Sequence, residues 1–128
     1  MWGEQVYMDF YRVSEAEVLR GVYDYFHYRG GYCWRNNTGS VVIPGTATTR
    51  RRYVQFSEPG ASDIIGLHTG YFFGLETKTE KGKQTVEQVN WMNTIREHGG
   101  VYLLLRPSTY IDQIDEALRQ LGLLAVAE

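Results

Sequence analysis

The sequence predicts an α/β fold in which a central mixed β-sheet is flanked by helices. Three observations carry this. Segments of helical period open, interrupt and close the chain, at 14–29, 85–98 and 110–121. Between them lie short runs rich in β-branched and aromatic residues, which is strand composition. The resulting order, helix, several strands, helix, strand, helix, is that of a sheet covered by helices.

Residues 1–13 are mixed in character and are expected to pack as an extended arm. The first helix starts at Ser14, with Glu17 at capping-box spacing, and carries Val18, Val22 and Phe26 at helical intervals before Gly30-Gly31 stops it. Tyr32–Arg35 reads as a strand, and Val41-Val42-Ile43 as a second, ended by Pro44-Gly45. Thr46–Thr49 is polar and loop-like, and Arg50-Arg51-Arg52 leads into a strand at Tyr53–Phe56. After the Glu58-Pro59-Gly60 turn, Ser62–Leu67 and Tyr71–Thr79 form a hairpin-like pair around Thr69-Gly70. Glu80–Lys83 is a charged loop. The second helix runs from Thr85 to His98, with Val89, Met92 and Ile95 marking its faces, and Gly99-Gly100 ends it. Val101–Leu105 is a strand of buried type. The last helix, Tyr110–Leu121, places Ile111, Ile114 and Leu118 at core spacing.

Composition narrows the function. The 128 residues suit one domain with a real core, about 14–121, and show no linker, repeat or low-complexity tract. Net charge is −2 and pI about 5.9, so any hold on phosphate must come from a local basic patch or a bound metal. The single cysteine, Cys33, excludes an internal disulfide and a Cys-based zinc site. The N-terminus reads as no signal peptide and no apolar stretch is long enough to span a membrane, so the expected compartment is cytoplasmic and reducing. His27, His68 and His98 share no metal-ligand spacing and are expected to be structural or exposed. Gly82-Lys83 is not a phosphate-binding P-loop, because Thr77 stands where that loop needs glycine and Gln84 where it needs Ser or Thr.

The chemistry concentrates in Asp63 and, thirteen residues on, Glu76-Thr77-Lys78. Each acid lies at or inside a strand run, and two adjacent strands would bring them together at one end of the sheet. Close carboxylates repel unless a cation sits between them, and a hard divalent ion such as Mg²⁺ takes oxygen ligands of this kind. Lys78, two residues after Glu76, shares its strand face. The blander alternatives are a turn-capping Asp63, an ion-paired Glu76 and a solvated Lys78. The metal reading is preferred because all three occur together.

These residues resemble the virus-type replication-repair nuclease (VRR-NUC) domains of the PD-(D/E)XK nuclease superfamily. The matching pieces, in order, are Ser14-Glu15-Ala16-Glu17, Cys33–Gly39, Pro59–Gly66, Leu75-Glu76-Thr77-Lys78, Gly82-Lys83-Gln84, Glu87-Gln88 and Gly99-Gly100. Leu19 stands where the family usually has a first-helix Gln, a departure expected to lie outside the metal cluster.

The resemblance implies a PD-(D/E)XK nuclease-like sheet in α-β-β-β-α-β-α order. It implies Mg²⁺ or Mn²⁺ held by Asp63, Glu76 and the Thr77 backbone carbonyl, with a first-helix acid nearby. Glu15 is preferred for that role, through water, because the capping box accounts for Glu17. Lys78 would orient or activate the attacking water, and Gln88 would reach toward Lys78 or the substrate. Arg35, Asn37, Arg50, Arg51, Arg52 and Lys83 are the candidate DNA contacts, although a solvated loop would explain the arginine triplet about as well. The implied activity is endonucleolytic cleavage of branched DNA by a homodimer similar to Holliday-junction resolvases. The alternatives are a monomeric flap- or end-directed nuclease and a DNA-binding protein that does not cut. The surplus tyrosines of the first helix, Tyr23, Tyr25 and Tyr28, fit a partner surface.

Overall fold

The computed structural model describes residues 13–37, 39–55 and 57–125. The proposed arm at 1–12 lies outside them, as does Phe56. The elements run α1 (Glu15–Tyr28), β1 (Tyr32–Arg35), β2 (Ser40–Ile43), β3 (Arg52–Gln55), β4 (Ile64–His68), β5 (Tyr71–Thr77), α2 (Val86–Glu97), β6 (Val101–Leu105) and α3 (Tyr110–Gln120).

Four strands make the central sheet, in the order β1-β4-β5-β6. The β1–β4 and β4–β5 pairs are antiparallel and β5–β6 is parallel, so the sheet is mixed. The expected hairpin closes tightly at Thr69-Gly70. Both residues have positive φ, 48° and 84°, as a two-residue type I′ turn requires. The β2–β3 pair forms a separate two-stranded ribbon. Without that ribbon the order is α-β-β-β-α-β-α, as the resemblance implied. The strand signals at 41–43 and 53–55 were therefore real, but their residues pair with each other outside the main sheet.

The core sits between the sheet and the α1/α3 pair. Val18, Val22 and Phe26 of α1 are all at or below 1% exposure, and they meet Ile64, Phe73, Leu75, Leu105, Ile114 and Leu118. Phe26 and Phe73 pack edge to face at 5.1 Å. Ile111 does not join this core. It is 45% exposed, and Tyr110 packs inward instead, its hydroxyl close against Gly21, where a Cβ would come within 2.6 Å. The two helices are tied by a polar cluster. Asp115 accepts from Arg29 Nε at 2.9 Å and from the Tyr25 hydroxyl at 2.7 Å.

The opposite sheet face carries α2. Gly74 permits the close approach, since a Cβ there would meet Ile95 Cδ1 at 2.5 Å and Ser62 Oγ at 2.7 Å. Trp91 Nε1 donates to the same Ser62 Oγ at 2.9 Å. Glu76 follows Gly74 on this face by strand alternation.

Candidate functional site

Register assembles the site. Ile64 of β4 lies opposite Leu75 of β5, so the next position outward brings Asp63 beside Glu76. On the other side of Asp63, its carbonyl accepts from Asn36 N at 2.8 Å, and across β5 Glu76 stands level with Leu104. The two acids thus occupy neighbouring places at one end of the sheet, as their strand positions predicted.

The turn before Asp63 is held by close packing. Gly60 has φ of 75°, and a Cβ there would come within 2.2 Å of Glu87 backbone atoms at the start of α2. Asn36 Nδ2 donates to Ser57 Oγ at 3.1 Å and to Ser62 O at 3.2 Å, so this residue is a structural tie. Asp63 Oδ2 accepts from both the amide and the hydroxyl of Thr77, each at 3.1 Å. These bonds fix one carboxylate oxygen of Asp63.

Glu76 is 1% exposed, and its Oε1 has no hydrogen-bond partner among the described residues. Burial pushes its carboxyl up to about 9. Hydrogen bonding to Asp63 and repulsion from Asp63 add to this, Lys78 opposes it, and the Glu15 charge adds a smaller upward push. Asp63, Lys78 and Glu15 therefore all act electrostatically on Glu76. A buried carboxyl with an orphaned oxygen, set against a second carboxylate, is a donor set suited to a hard cation. Asp63, Glu76 and the Thr77 carbonyl fit such an ion.

Two adjoining clefts open beside Asp63. One, of about 210 Å³, is lined by Glu15, Ala16, Leu19, Arg35, Asp63 and Thr77. The other, of about 530 Å³, is lined by Arg35, Asn36, Asn37, Gly39 and Asp63. Glu15 faces the cleft, whereas Glu17 is engaged at the helix start, with its amide and carboxylate both against Ser14 Oγ at 3.2 Å. Among the described residues no three His, Cys, Asp or Glu side chains converge closely enough to hold a metal by themselves. Glu15 thus stands back from the Asp63–Glu76 pair, an arrangement that leaves room for water. Leu19, where the family usually has Gln, lines the same cleft as Asp63.

Gln88 is engaged at the start of α2. Its Oε1 accepts from Thr85 N at 2.9 Å while Thr85 Oγ1 accepts from Gln88 N at 3.2 Å, a complete capping box. This commits the amide oxygen to the helix start. The Thr85-x-x-Gln88 spacing was the available signal for it.

Arg106 went unforeseen. Its Nη1 donates to the carbonyls of Thr79 (2.8 Å), Glu80 (3.2 Å) and Gly82 (2.7 Å), and Glu80 in turn holds Ser108. The segment that follows Lys78 is thereby pinned to the end of β6, as is Lys78 N, which donates to Leu105 O at 3.0 Å. Lys83 lies exposed on that segment, and Arg50, Arg51 and Arg52 lie on the separate ribbon, exposed. The histidines have structural partners: His68 bonds Arg29 O and Thr69, His27 bonds Cys33 O, and His98 bonds Thr94 O. Among the described residues no helix is long and apolar enough to cross a membrane.

No family model matches the chain. No curated protein matches it either. Among solved structures, one described as "VRR_NUC domain" superimposes with a TM-score of 0.53 at 19% identity, covering 82% of this chain and 94% of that one. The chain has the fold of a VRR_NUC domain.

Proposed function

We propose that the chain is a divalent-metal-dependent DNA endonuclease. The observation that carries this is the buried Glu76 carboxyl, one oxygen of it orphaned, set against Asp63, with the Lys78 charge acting on it and an open cleft beside Asp63. A purely structural role would have satisfied both oxygens of Glu76, since leaving a buried polar atom unpaired costs stability. The likeness to a VRR_NUC domain supports the same reading.

Asp63, Glu76 and the Thr77 carbonyl would hold Mg²⁺ or Mn²⁺, with Glu15 acting through water. When bound, that ion lowers the pKa of a water and neutralises charge on the scissile phosphate. The chain's own residues do the rest. Thr77 fixes the Asp63 carboxylate through two hydrogen bonds. Lys78 supplies a positive charge beside the reacting phosphate and orients the attacking water. Arg106 fixes the backbone segment after Lys78 through three carbonyls. Arg35 and Asn37, on the cleft wall, and Lys83 contact flanking phosphates. In-line attack would leave a 5′-phosphate and a 3′-hydroxyl. Gln88, its amide oxygen held in the helix cap, would reach substrate only through its amide nitrogen.

The finer reading is a homodimer that cuts four-way junctions. An exposed aromatic surface supports a partner copy: Tyr23 and His27 of α1 adjoin Tyr32 and Trp34 on β1, the edge strand of the sheet. Two-fold pairing is the commonest assembly of such surfaces.

The test is cleavage of labelled four-way junction, flap and plain duplex DNA with Mg²⁺, Mn²⁺ or EDTA, beside Asp63→Asn and Lys78→Ala. Paired, metal-dependent nicks near the junction are expected, falling at least about 10²-fold in Lys78→Ala. Cutting of flaps alone would reject the junction and dimer reading but keep the chemistry. Variants that cut at the parent rate would refute the site.

A further inference from the structure

The β2–β3 ribbon serves neither the core nor the cleft chemistry. Its strands pair only with each other. Two-stranded ribbons are marginal in water unless something covers them. Here one face carries Val42 and Tyr53, both exposed, the latter at 70%, and the other carries Val41, Ile43 and Val54, of which Val41 is 42% exposed.

Charge is segregated onto this segment. Residues 40–55 contain Arg50, Arg51 and Arg52 and no acid, in a chain of net charge −2. All three arginines are exposed. Among the described residues their side chains enter none of the ion pairs, which join Arg29 to Asp115 and Arg119 to Glu116. The tip is ordered, with Thr46 Oγ1 accepting from the amides of Thr48 (3.3 Å) and Thr49 (3.1 Å). The base adjoins the candidate site, since Gly39, immediately before β2, lines the same cleft as Asp63.

We propose that the ribbon lies along a groove of the duplex flanking the scissile phosphate, with Arg50, Arg51 and Arg52 against its phosphates. Two strands about 4.8 Å apart with their side chains match a major groove roughly 12 Å wide, which admits such a ribbon. A strand of four residues extends roughly 13 Å, enough to carry the arginines well beyond the cleft. A polyanion is the occupant that three unpaired arginines select. A second copy of the chain docked through the same ribbon would instead bring two such triplets into one interface. The inference rests on the site above acting on nucleic acid, and binding measured without metal separates the two.

The experiment compares the full chain with R50Q/R51Q/R52Q and R50K/R51K/R52K, the fold of each checked by thermal melting. Anisotropy of a labelled duplex of two helical turns is followed against salt in EDTA, with hydroxyl-radical footprinting. The glutamine variant should bind at least tenfold more weakly. Its slope of log affinity against log salt should be shallower by roughly 2–3. It should lose one protected patch offset from the cleavage position, and the lysine variant should retain the slope. An unchanged slope, a uniform fading of protection, or a parent that binds no duplex would overturn the proposal. So would a sedimentation result in which the glutamine variant loses self-association while its DNA binding is unchanged. A parent that binds through the ribbon but cuts nothing would leave the proposal standing and sink the nuclease reading.

Discussion

Replacing Glu76 with Gln should stabilise the protein when no divalent ion is present. The carboxyl is 1% exposed and one of its oxygens has no partner, a defect worth about 1–3 kcal/mol in a buried site. Gln keeps the shape, carries no charge, and offers an amide donor to Asp63. Allowing for an imperfect fit, a gain of about 1–2 kcal/mol is reasonable. With an unfolding entropy near 2.1 cal/mol/K per residue over 128 residues, that raises Tm by roughly 4–7 °C. The effect has a sign in pH. Glu76 titrates near 9 in the fold against 4.5 ordinarily, because of burial first and Asp63 second. A raised carboxyl contributes stability that is complete below the ordinary value and is lost as pH rises toward the folded one. The Gln variant's advantage should therefore grow between pH 5 and 9. Differential scanning calorimetry in EDTA reads this directly. Adding Mn²⁺ should raise the parent's Tm and leave the variant's nearly unmoved. A Gln variant less stable than the parent in EDTA across that range would show that Glu76 is a satisfied structural residue, and the metal argument would fail with it.

Three further outcomes follow from other contacts. Arg106→Ala removes three bonds to carbonyls at 79, 80 and 82, and cleavage should fall at least about tenfold while Tm drops by only a few degrees; single-turnover rates beside a melt separate the two effects. Asp115 is pushed up by burial, but hydrogen bonds from Arg29 and Tyr25 outweigh this and leave it below its ordinary 3.8. Its contribution is present above that value and lost as pH falls through the folded one, so the stability gap between the parent and Asp115→Asn should be constant near neutrality and close below about pH 4 in urea titrations. Gly60→Ala sets a Cβ against the Glu87 backbone at a positive φ, and should cost about 2–3 kcal/mol by chemical denaturation while lowering cleavage, because the turn carries Asp63.

Much of the fold was legible because local signals agreed with one another. Ser14 and the Val18–Val22–Phe26 stripe marked α1, and Thr69-Gly70 marked the β4–β5 turn. Asp63 and Glu76 could be paired from sequence because a tight hairpin leaves only one register that keeps Ile64 and Leu75 both buried. What failed was of a different kind. Strand propensity at 41–43 and 53–55 says nothing about which neighbour a strand will choose, so the ribbon's separation from the sheet was invisible. Ile111 fits the helical period but sits at the first turn, where Tyr110 reaches the core ahead of it. Gln88 was read only for function, though its spacing from Thr85 also announced a cap. Arg106 gave no signal at all, since its three acceptors are backbone carbonyls at 79, 80 and 82, brought to it only by the β5–β6 pairing.

The ribbon lies within the connection between β1 and β4, residues 36–63. Closing a loop becomes harder only with the logarithm of its length, so removing sixteen of those residues changes the closure term by about 0.7 kcal/mol. The core, the register of Asp63 and the α2 contact at Gly60 lie outside the ribbon. A lineage could lengthen, shorten or exchange this segment without disturbing the Asp63–Glu76 end of the sheet. Chemistry and target choice would then be free to evolve at different rates within one small chain.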